Sequence, residues 1–373
     1  LERQNKTKII KKLFIMKEDA SKKQLENFLK KNESDHFNYH DTVHWVCPTG
    51  SLIFDSELGG GYKPGAYKVN GASFAGKTHC ILNCIKNALE TVPNSKGLWI
   101  DAEGRLDKDV KERAGIKFIY DPKEWEVGTC FVFQTNIFEA SIDIINDLVK
   151  NNVDDHRFIM AIDSMDCLIR RDDASKKAEE AAKVGAAGLL TSLMFKKANL
   201  VLNKKGHCLF MINQLRSTID TNQYAPKDQN ASVGGGGTNA PVHAANQVWN
   251  FLGRTKGATI FDGDTTLGHY CRIKISKGLK ERTDVSISYP VKHGRKGGTS
   301  VWKEYEIIDL LLQWGFLEKK GSWINSDEEL SNYLGSELKT QGITKTYNLL
   351  EEDQVLCEKL EKFCKENIFD KMK

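Results

Sequence analysis

Gly71-Ala-Ser-Phe-Ala-Gly-Lys-Thr78 constrains this chain more than any other stretch. It fits G-x-x-x-x-G-K-[ST], a glycine-rich turn in which backbone N–H groups and a helix N-terminus surround phosphate oxygens. Such a turn works only when a buried strand delivers it and an amphipathic helix leaves it. Both flanks are legible: Gly65 to Asn70 reads as a short strand, and Ile81, Leu82, Ile85, Ala88 and Leu89 mark one helical face after Thr78. Gly71, Ala72, Ser73, Phe74, Ala75, Gly76, Lys77, Thr78 and the adjoining His79 are therefore candidate nucleotide-binding residues. In this pattern Lys77 neutralises the β and γ phosphates and Thr78 is a ligand for Mg²⁺.

Strand patterns recur at Gly97–Asp101, Thr129–Gln134, Phe158–Asp163 and Cys208–Asn213, with helical stretches between them, which predicts a mostly parallel sheet covered by helices. A β-rich run from Thr265 to Tyr289 closes the region. Three of these strands end in groups that suit phosphate chemistry. Phe158-Ile-Met-Ala-Ile-Asp163 is an apolar run that presents Asp163 on the Mg²⁺ side of the phosphates. Leu98-Trp-Ile-Asp-Ala-Glu103 ends in two acids, and Glu103 is the candidate base that orients and deprotonates a water in line with the γ-phosphate. Cys208-Leu-Phe-Met-Ile-Asn-Gln214 closes with an amide able to bond a γ-phosphate and pass its presence to the sequence that follows.

That sequence, Arg216 to Gly237, is polar, long and contains four successive glycines. It reads either as a surface loop or as an element ordered by a phosphodiester backbone, through its amides and Arg216 or Lys227. Gly234, Gly235, Gly236, Gly237 and Asn239 belong to the same candidate DNA-binding segment. Arg170 and Arg171, after the Asp163 strand, are a second candidate pair; beside Asp172 and Asp173 they also read as half of a salt-bridge patch.

Composition narrows the class. With 40% hydrophobic and 28% charged residues, 30 Gly and 7 Pro, the chain is neither disordered nor fibrous, and its 373 residues predict two to three domains. Its most apolar stretch, Ile307–Leu317, contains Asp309 and Gln313 and is too short to cross a bilayer. No secretory pattern is visible, and nine Cys without a C-x-x-C pair predict a reducing, cytoplasmic setting. The formal charge of +4 is too mild to diagnose a nucleic-acid binder, so a DNA reading rests on local sites. Residues 1–45 are Lys-rich, and Leu13, Phe14, Leu25, Phe28 and Leu29 suit one or two short amphipathic helices. From about Gly297 the chain is helical and charged around Trp302, Leu310, Leu311 and Trp314, which predicts a small separate lobe. His36, His40 and His44, with Cys47 behind, would line one face of a continuous helix and suit Zn²⁺. Asp35, Asn38 and Asp41 oppose that helix, and a polar linker is the preferred reading.

Taken together, these motifs resemble the RecA recombinase family. Thr49-Gly-Ser-Leu-Ile-Phe-Asp-Ser-Glu-Leu-Gly-Gly60 resembles the lead into its ATPase core, and Ile100-Asp-Ala-Glu-Gly-Arg-Leu-Asp107 resembles the segment holding its catalytic glutamate. Met211-Ile-Asn-Gln-Leu-Arg216 and the Gly-rich stretch resemble its γ-phosphate switch and second DNA-binding loop; the likeness runs from about residue 47 to 325. It implies an α/β fold: a RecA-type P-loop ATPase core with a mostly parallel sheet at 46–292, an N-terminal helical assembly arm at 1–45 and a small C-terminal α/β lobe at 293–373. It also implies a DNA-dependent ATPase using ATP and Mg²⁺. Copies of it would form a helical filament on single-stranded DNA, pair it with homologous double-stranded DNA and exchange strands in recombination and repair, with ATP held between neighbouring protomers.

Carried over by residue, the resemblance makes Lys77 and Thr78 the phosphate and Mg²⁺ residues, Asp107 a nucleotide contact, Glu103 the base, Asp163 the acidic strand end and Gln214 the switch. Arg272-Ile-Lys-Ile-Ser-Lys277 resembles the strand from which bacterial members reach lysines into the neighbour's ATP site. Lys277 matches; the second lysine is displaced, with Leu279 at its place and Lys280 beside it. Val110 stands where many bacterial members stack an aromatic on adenine, which leaves base selectivity open, and Phe369-Asp-Lys-Met-Lys373 does not match their acidic tail. A divergent or phage-type member fits these departures. Two other classes share the core: a ring helicase or motor, expected to carry a large collar before the core and an arginine finger in place of Lys277, and an ATP-binding scaffold that ignores DNA.

Overall fold

The computed structural model describes residues 20–175, 186–214, 244–255, 257–278 and 285–369, with no account of the side chains of Ser34 and 186–194. The chain divides into two compact units, one ending at Val43 and the other running from His44 to Lys373. In the first, helix α1 (20–31) is followed by a single tight turn at Glu33–Asp35. Leu25 and Phe28 on α1 are exposed; Leu13 and Phe14 lie outside the described residues. Since α1 ends before His36, the three histidines share no helical face, and His36 Nε2 instead sits 2.8 Å from the Leu29 carbonyl oxygen.

The second unit is built on one sheet. In chain order its elements are α2 (Leu52–Leu58), β1 (Gly65–Gly71), α3 (Lys77–Thr91), β2 (Ser95–Asp101), α4 (Lys108–Ala114), β3 (Phe118–Ile119), β4 (Cys130–Phe133), α5 (Phe138–Lys150) and β5 (Arg157–Asp163). These are followed by α6 (Arg171–Ala174), α7 (Ala186–Lys205), β6 (Cys208–Gln214), β7 (Gln247–Phe251), β8 (Thr259–Asp262), β9 (Thr265–Lys277) and β10 (Val285–Lys292). The strand order is β10-β9-β7-β1-β6-β5-β2-β4-β3, with β8 on β9. From β7 to β3 every pairing is parallel, whereas β8, β9 and β10 join antiparallel. This is the expected α/β architecture with a mostly parallel sheet.

Strands buried on both faces read as continuous apolar runs, and the period of two sorts their side chains. Tyr67, Val69, Trp99, Ile159, Ala161, Phe210 and Ile212 join the cluster packed under Ile81, Leu82, Ile85 and Ala88 of α3. Their neighbours Ala66, Leu98, Ile100, Met160, Ile162, Leu209 and Met211 join the opposite cluster, with Ile145 and Val149 of α5 and Phe195, Ala198 and Leu202 of α7. Slipping one of these strands by a single residue would exchange the two sets, so the register is strongly specified. His207, fully buried just before β6, reinforces it: its Nδ1 accepts from Phe158 N–H at 3.1 Å and its carbonyl from Gly65 N–H at 2.8 Å. Burial pushes this imidazole down to about 3, which keeps it a neutral acceptor.

The segment after β10 carries its own sheet and apolar cluster. Helix Lys303–Gln313 leads into β11 (Leu317–Lys320), β12 (Trp323–Ser326) and, after helix Glu328–Leu334, β13 (Lys339–Gln341); helices Ile343–Glu352 and Gln354–Cys364 follow. Trp302, Ile307, Leu311, Phe316, Leu350 and Phe363 fill its centre. Two carboxylates tie it to the rest of the unit. Glu306, fully buried, accepts from Ser51 Oγ (2.6 Å), Leu52 N (2.9 Å) and Ile53 N (3.1 Å) at the start of α2, and Glu351 holds Lys292 and Arg295.

Candidate nucleotide site

β1 delivers its turn to the edge of the sheet where the parallel strands end, and close packing explains both glycines. A Cβ on Gly71 would stand 2.7 Å from both the Cβ and the carbonyl oxygen of Phe251. Gly76, at φ 97°, caps α3 with its Cβ direction 3.0 Å from Cys271 Sγ. Lys77 is buried and its Nζ donates to the carbonyl oxygens of Gly71 and Ala72, both at 2.8 Å. Burial lowers its ammonium below the usual lysine range, against the pull of Asp163 and Glu103. A cation held in this way stabilises a polyanion strongly, because little water competes with it. Phe74 forms the exposed tip of the turn at φ 59°.

Register brings the other strand ends beside it. Gly71 pairs with Gln214 and Asp101 with Asp163. Thr78 Oγ1 donates to Asp163 Oδ2 at 2.9 Å; burial pushes the Asp163 carboxyl up to about 6, with the Thr78 bond opposing that rise and the Glu103 charge adding to it. Asp101 Oδ1 accepts from Gly104 N and Arg105 N, and the Asp163 carbonyl accepts from Ala102 N and Glu103 N, so the chain folds Glu103 back over β5. There Glu103 accepts from Gln214 Nε2 and from Ser164 Oγ at 2.8 Å, meets Cys167 Sγ at 3.5 Å and pairs with Arg105 at 3.0 Å. Gln214 also donates its backbone N–H to Asp166 Oδ2 at 2.5 Å, and its Oε1 lies 3.5 Å from Ser73 Oγ. One amide thus spans the phosphate turn and the candidate base.

These residues open onto a cavity of about 730 Å³. Its lining also includes Asp107, Val110, Arg113, Arg254, His269 and His293. Asp107 faces it while capping α4 through a 2.8 Å bond from Val110 N. His79 lines it too, with a buried Nε2 that lacks a hydrogen-bond partner and an imidazole pushed down to about 4 by burial and then by the Arg113 charge. For Mg²⁺, the donor set is suitable: a threonine hydroxyl and a buried carboxylate held side by side at 2.9 Å. Among the described residues no group of three or more His, Cys, Asp or Glu is arranged to hold a metal ion. Thr78 and Asp163 are the residues that would hold Mg²⁺, an ion commonly bound through one or two carboxylates together with substrate phosphates.

The remaining expected residues are placed differently. Arg170 pairs with Asp172 at 3.2 Å and Asp173 at 3.9 Å, as the salt-bridge reading expects of it, and the Arg171 backbone N–H donates to Glu139 Oε2 at 2.9 Å. Lys277, the last residue of β9, does not line the cavity. Arg216, Lys227, Gly234, Gly235, Gly236, Gly237, Asn239 and Lys280 lie outside the described residues. Sequence reasoning missed Ser164, Asp166 and Cys167, which directly follow the flagged Asp163, and the trio Arg254, His269 and His293, which no motif spacing links.

A phosphate turn flanked by Asp163, Glu103 and Gln214 at the ends of buried parallel strands defines an α/β nucleotide-binding core. The RecA N-terminal domain family matches residues 24–281. The chain is 26% identical over 325 residues to Protein RecA of Mycolicibacterium vanbaalenii, covering 87% of this chain and 83% of that one. It is 27% identical to Protein RecA of Nocardia farcinica (87% and 83%) and 26% to that of Mycobacterium ulcerans (87% and 84%). The chain belongs to the RecA family, that of RecA-like recombination and repair ATPases. Among the described residues no helix is long and apolar enough to cross a membrane.

Proposed function

We propose that this protein is an ATP-dependent recombinase that assembles as a helical filament on single-stranded DNA and exchanges strands with a homologous duplex. The observation that carries this reading is the Gln214 junction, where one amide at the end of β6 contacts both Glu103 and the phosphate turn and leads directly into the Gly-rich segment. A γ-phosphate competing for that amide would free Glu103 to take a proton from water and shift the chain that starts at Leu215. Nucleotide chemistry and DNA contact through Arg216, Lys227 and the glycines would then be coupled at one residue. Lys77 and the turn from Gly71 to Thr78 hold the phosphates, and Thr78 with Asp163 holds Mg²⁺, which when bound neutralises phosphate charge.

Lys277 serves the neighbour. β9 runs antiparallel to β7, and Cys271 Sγ lies 3.5 Å from the Ala75 carbonyl oxygen. Lys277 is six residues further on, about 20 Å along an extended strand, several times the reach of a lysine side chain. Its own phosphate turn is out of range, so a head-to-tail assembly is needed to bring it to a γ-phosphate.

Electron micrographs of the protein with single-stranded DNA and a slowly hydrolysed ATP analogue test the reading. Helical filaments that require both additions are expected. Closed rings would point to a motor and assembly indifferent to DNA to a scaffold; either contradicts the proposal.

A further inference from the structure

In the cavity lining three side chains form a hydrogen-bonded row that the phosphate chemistry does not use. Arg254 Nη2 lies 3.2 Å from His269 Nε2, and His269 Nδ1 lies 2.9 Å from His293 Nε2. The direction of the row follows from its first member. A guanidinium only donates, so His269 Nε2 must be a bare acceptor and the His269 proton must sit on Nδ1. That proton is given to His293 Nε2, which is therefore bare, and the His293 proton must sit on Nδ1. Burial, with the Arg254 charge adding to it, pushes the His269 imidazole down to about 4, so the row keeps this polarity at neutral pH. It ends on one N–H donor, His293 Nδ1.

The row lines the same cavity as the phosphate turn. Cys271 touches the phosphate turn through the Ala75 carbonyl oxygen, and His269 is two residues back on the same face of β9, about 7 Å along the strand from that contact, where the nucleoside of a nucleotide held by the turn would reach it. Val291, opposite His269 in the β9–β10 pairing, and Val110 are apolar members of the same lining. Neither offers a ring for stacking, so a base held between these two would gain its orientation from polar contacts at its edge. Asp107 can only accept and His293 Nδ1 can only donate. We propose that His293 reads a ring nitrogen of the purine base through Nδ1–H, and that His269 and Arg254 are positioning residues that hold the proton on that atom.

This inference rests on the nucleotide reading above, and one titration series separates the two. Dissociation constants would be measured for the wild-type protein, His293→Ala and His293→Gln with ATP, its 1-deaza, 3-deaza and 7-deaza analogues, and inorganic tripolyphosphate. One deaza analogue is expected to bind the wild type about tenfold more weakly than ATP, the effect of one lost hydrogen bond. That difference should vanish in His293→Ala and return in part in His293→Gln, whose amide still donates, while tripolyphosphate binds all three proteins alike. Equal binding of all three deaza analogues to the wild type, or a preference that survives His293→Ala, would overturn the assignment. Failure of the wild type to bind both ATP and tripolyphosphate would overturn the nucleotide site itself.

Discussion

Glu103→Gln is expected to lower ATP turnover by about 10²- to 10⁴-fold while ATP-dependent DNA binding persists. The amide keeps the size of the carboxylate and an oxygen that can accept from Ser164 Oγ and Gln214 Nε2, so the junction retains its shape. What disappears is the ability to take a proton from the attacking water. The ion pair with Arg105 is lost as well, but Arg105 is 71% exposed, so solvent screens part of that interaction. Steady-state hydrolysis measured beside DNA retention at saturating ATP distinguishes the two effects. Turnover within a few-fold of wild type would remove Glu103 from the mechanism.

Two inactive variants should restore each other if Lys277 acts on the neighbouring protomer. Lys77→Ala removes the buried ammonium that holds the carbonyls of Gly71 and Ala72, yet still donates Lys277. Lys277→Ala keeps its phosphate turn and lacks only the donated charge, which stabilises negative charge developing in phosphoryl transfer. Each variant alone should lose about 10²-fold or more in DNA-stimulated hydrolysis. With random assembly at equal mixing, roughly a quarter of the interfaces are intact, so the mixture should far exceed the mean of its components. Co-sedimentation with DNA checks that both subunits enter the same assemblies before rates are compared. Co-assembled mixtures without a gain would place Lys277 outside the site and turn attention to Lys280.

The parts of the fold visible in the sequence were those whose burial leaves a local pattern. β5 and β6 carry continuous apolar runs because helices cover both faces, β2 carries a shorter one before Asp101, and their ends at Asp101, Asp163 and Gln214 are changes to polar residues; β1, with Lys68 and Asn70 in it, is legible from the phosphate turn that follows it. β7 was not visible: Gln247–Phe251 is five residues long, contains Gln and Asn, and pairs with β1 only through long-range topology. The three-stranded sheet in the C-terminal segment was hidden for a similar reason, since Leu317–Lys320 and Lys339–Gln341 are short and charged on their exposed positions. The resemblance supplied the α/β description of that lobe, whereas the residue pattern alone read as helical.

In the candidate site, residues grouped in one motif were legible and residues assembled across the chain were not. The phosphate turn declares itself because its chemistry needs eight successive positions. Arg105 and Ser164 stand within two residues of flagged acids, but only the fold shows that both reach Glu103, Arg105 at Oε2 and Ser164 at Oε1. Arg254, His269 and His293 meet because β9 and β10 form a hairpin beside the loop after β7, a contact that no spacing rule contains. Arg170 pairs with the flanking Asp172 and Asp173, a contact that their closeness in sequence makes legible.

The most direct measurement of the central claim is strand exchange itself. A duplex carrying one labelled strand is incubated with the protein, ATP, Mg²⁺ and single-stranded DNA that is either homologous or unrelated, and transfer of the label into new heteroduplex is followed on a gel. Transfer is expected with homologous DNA and ATP, and none with unrelated DNA or without nucleotide. A protein whose ATPase is stimulated by single-stranded DNA, yet which leaves the homologous duplex intact, would contradict it and place the chain among RecA-fold motors.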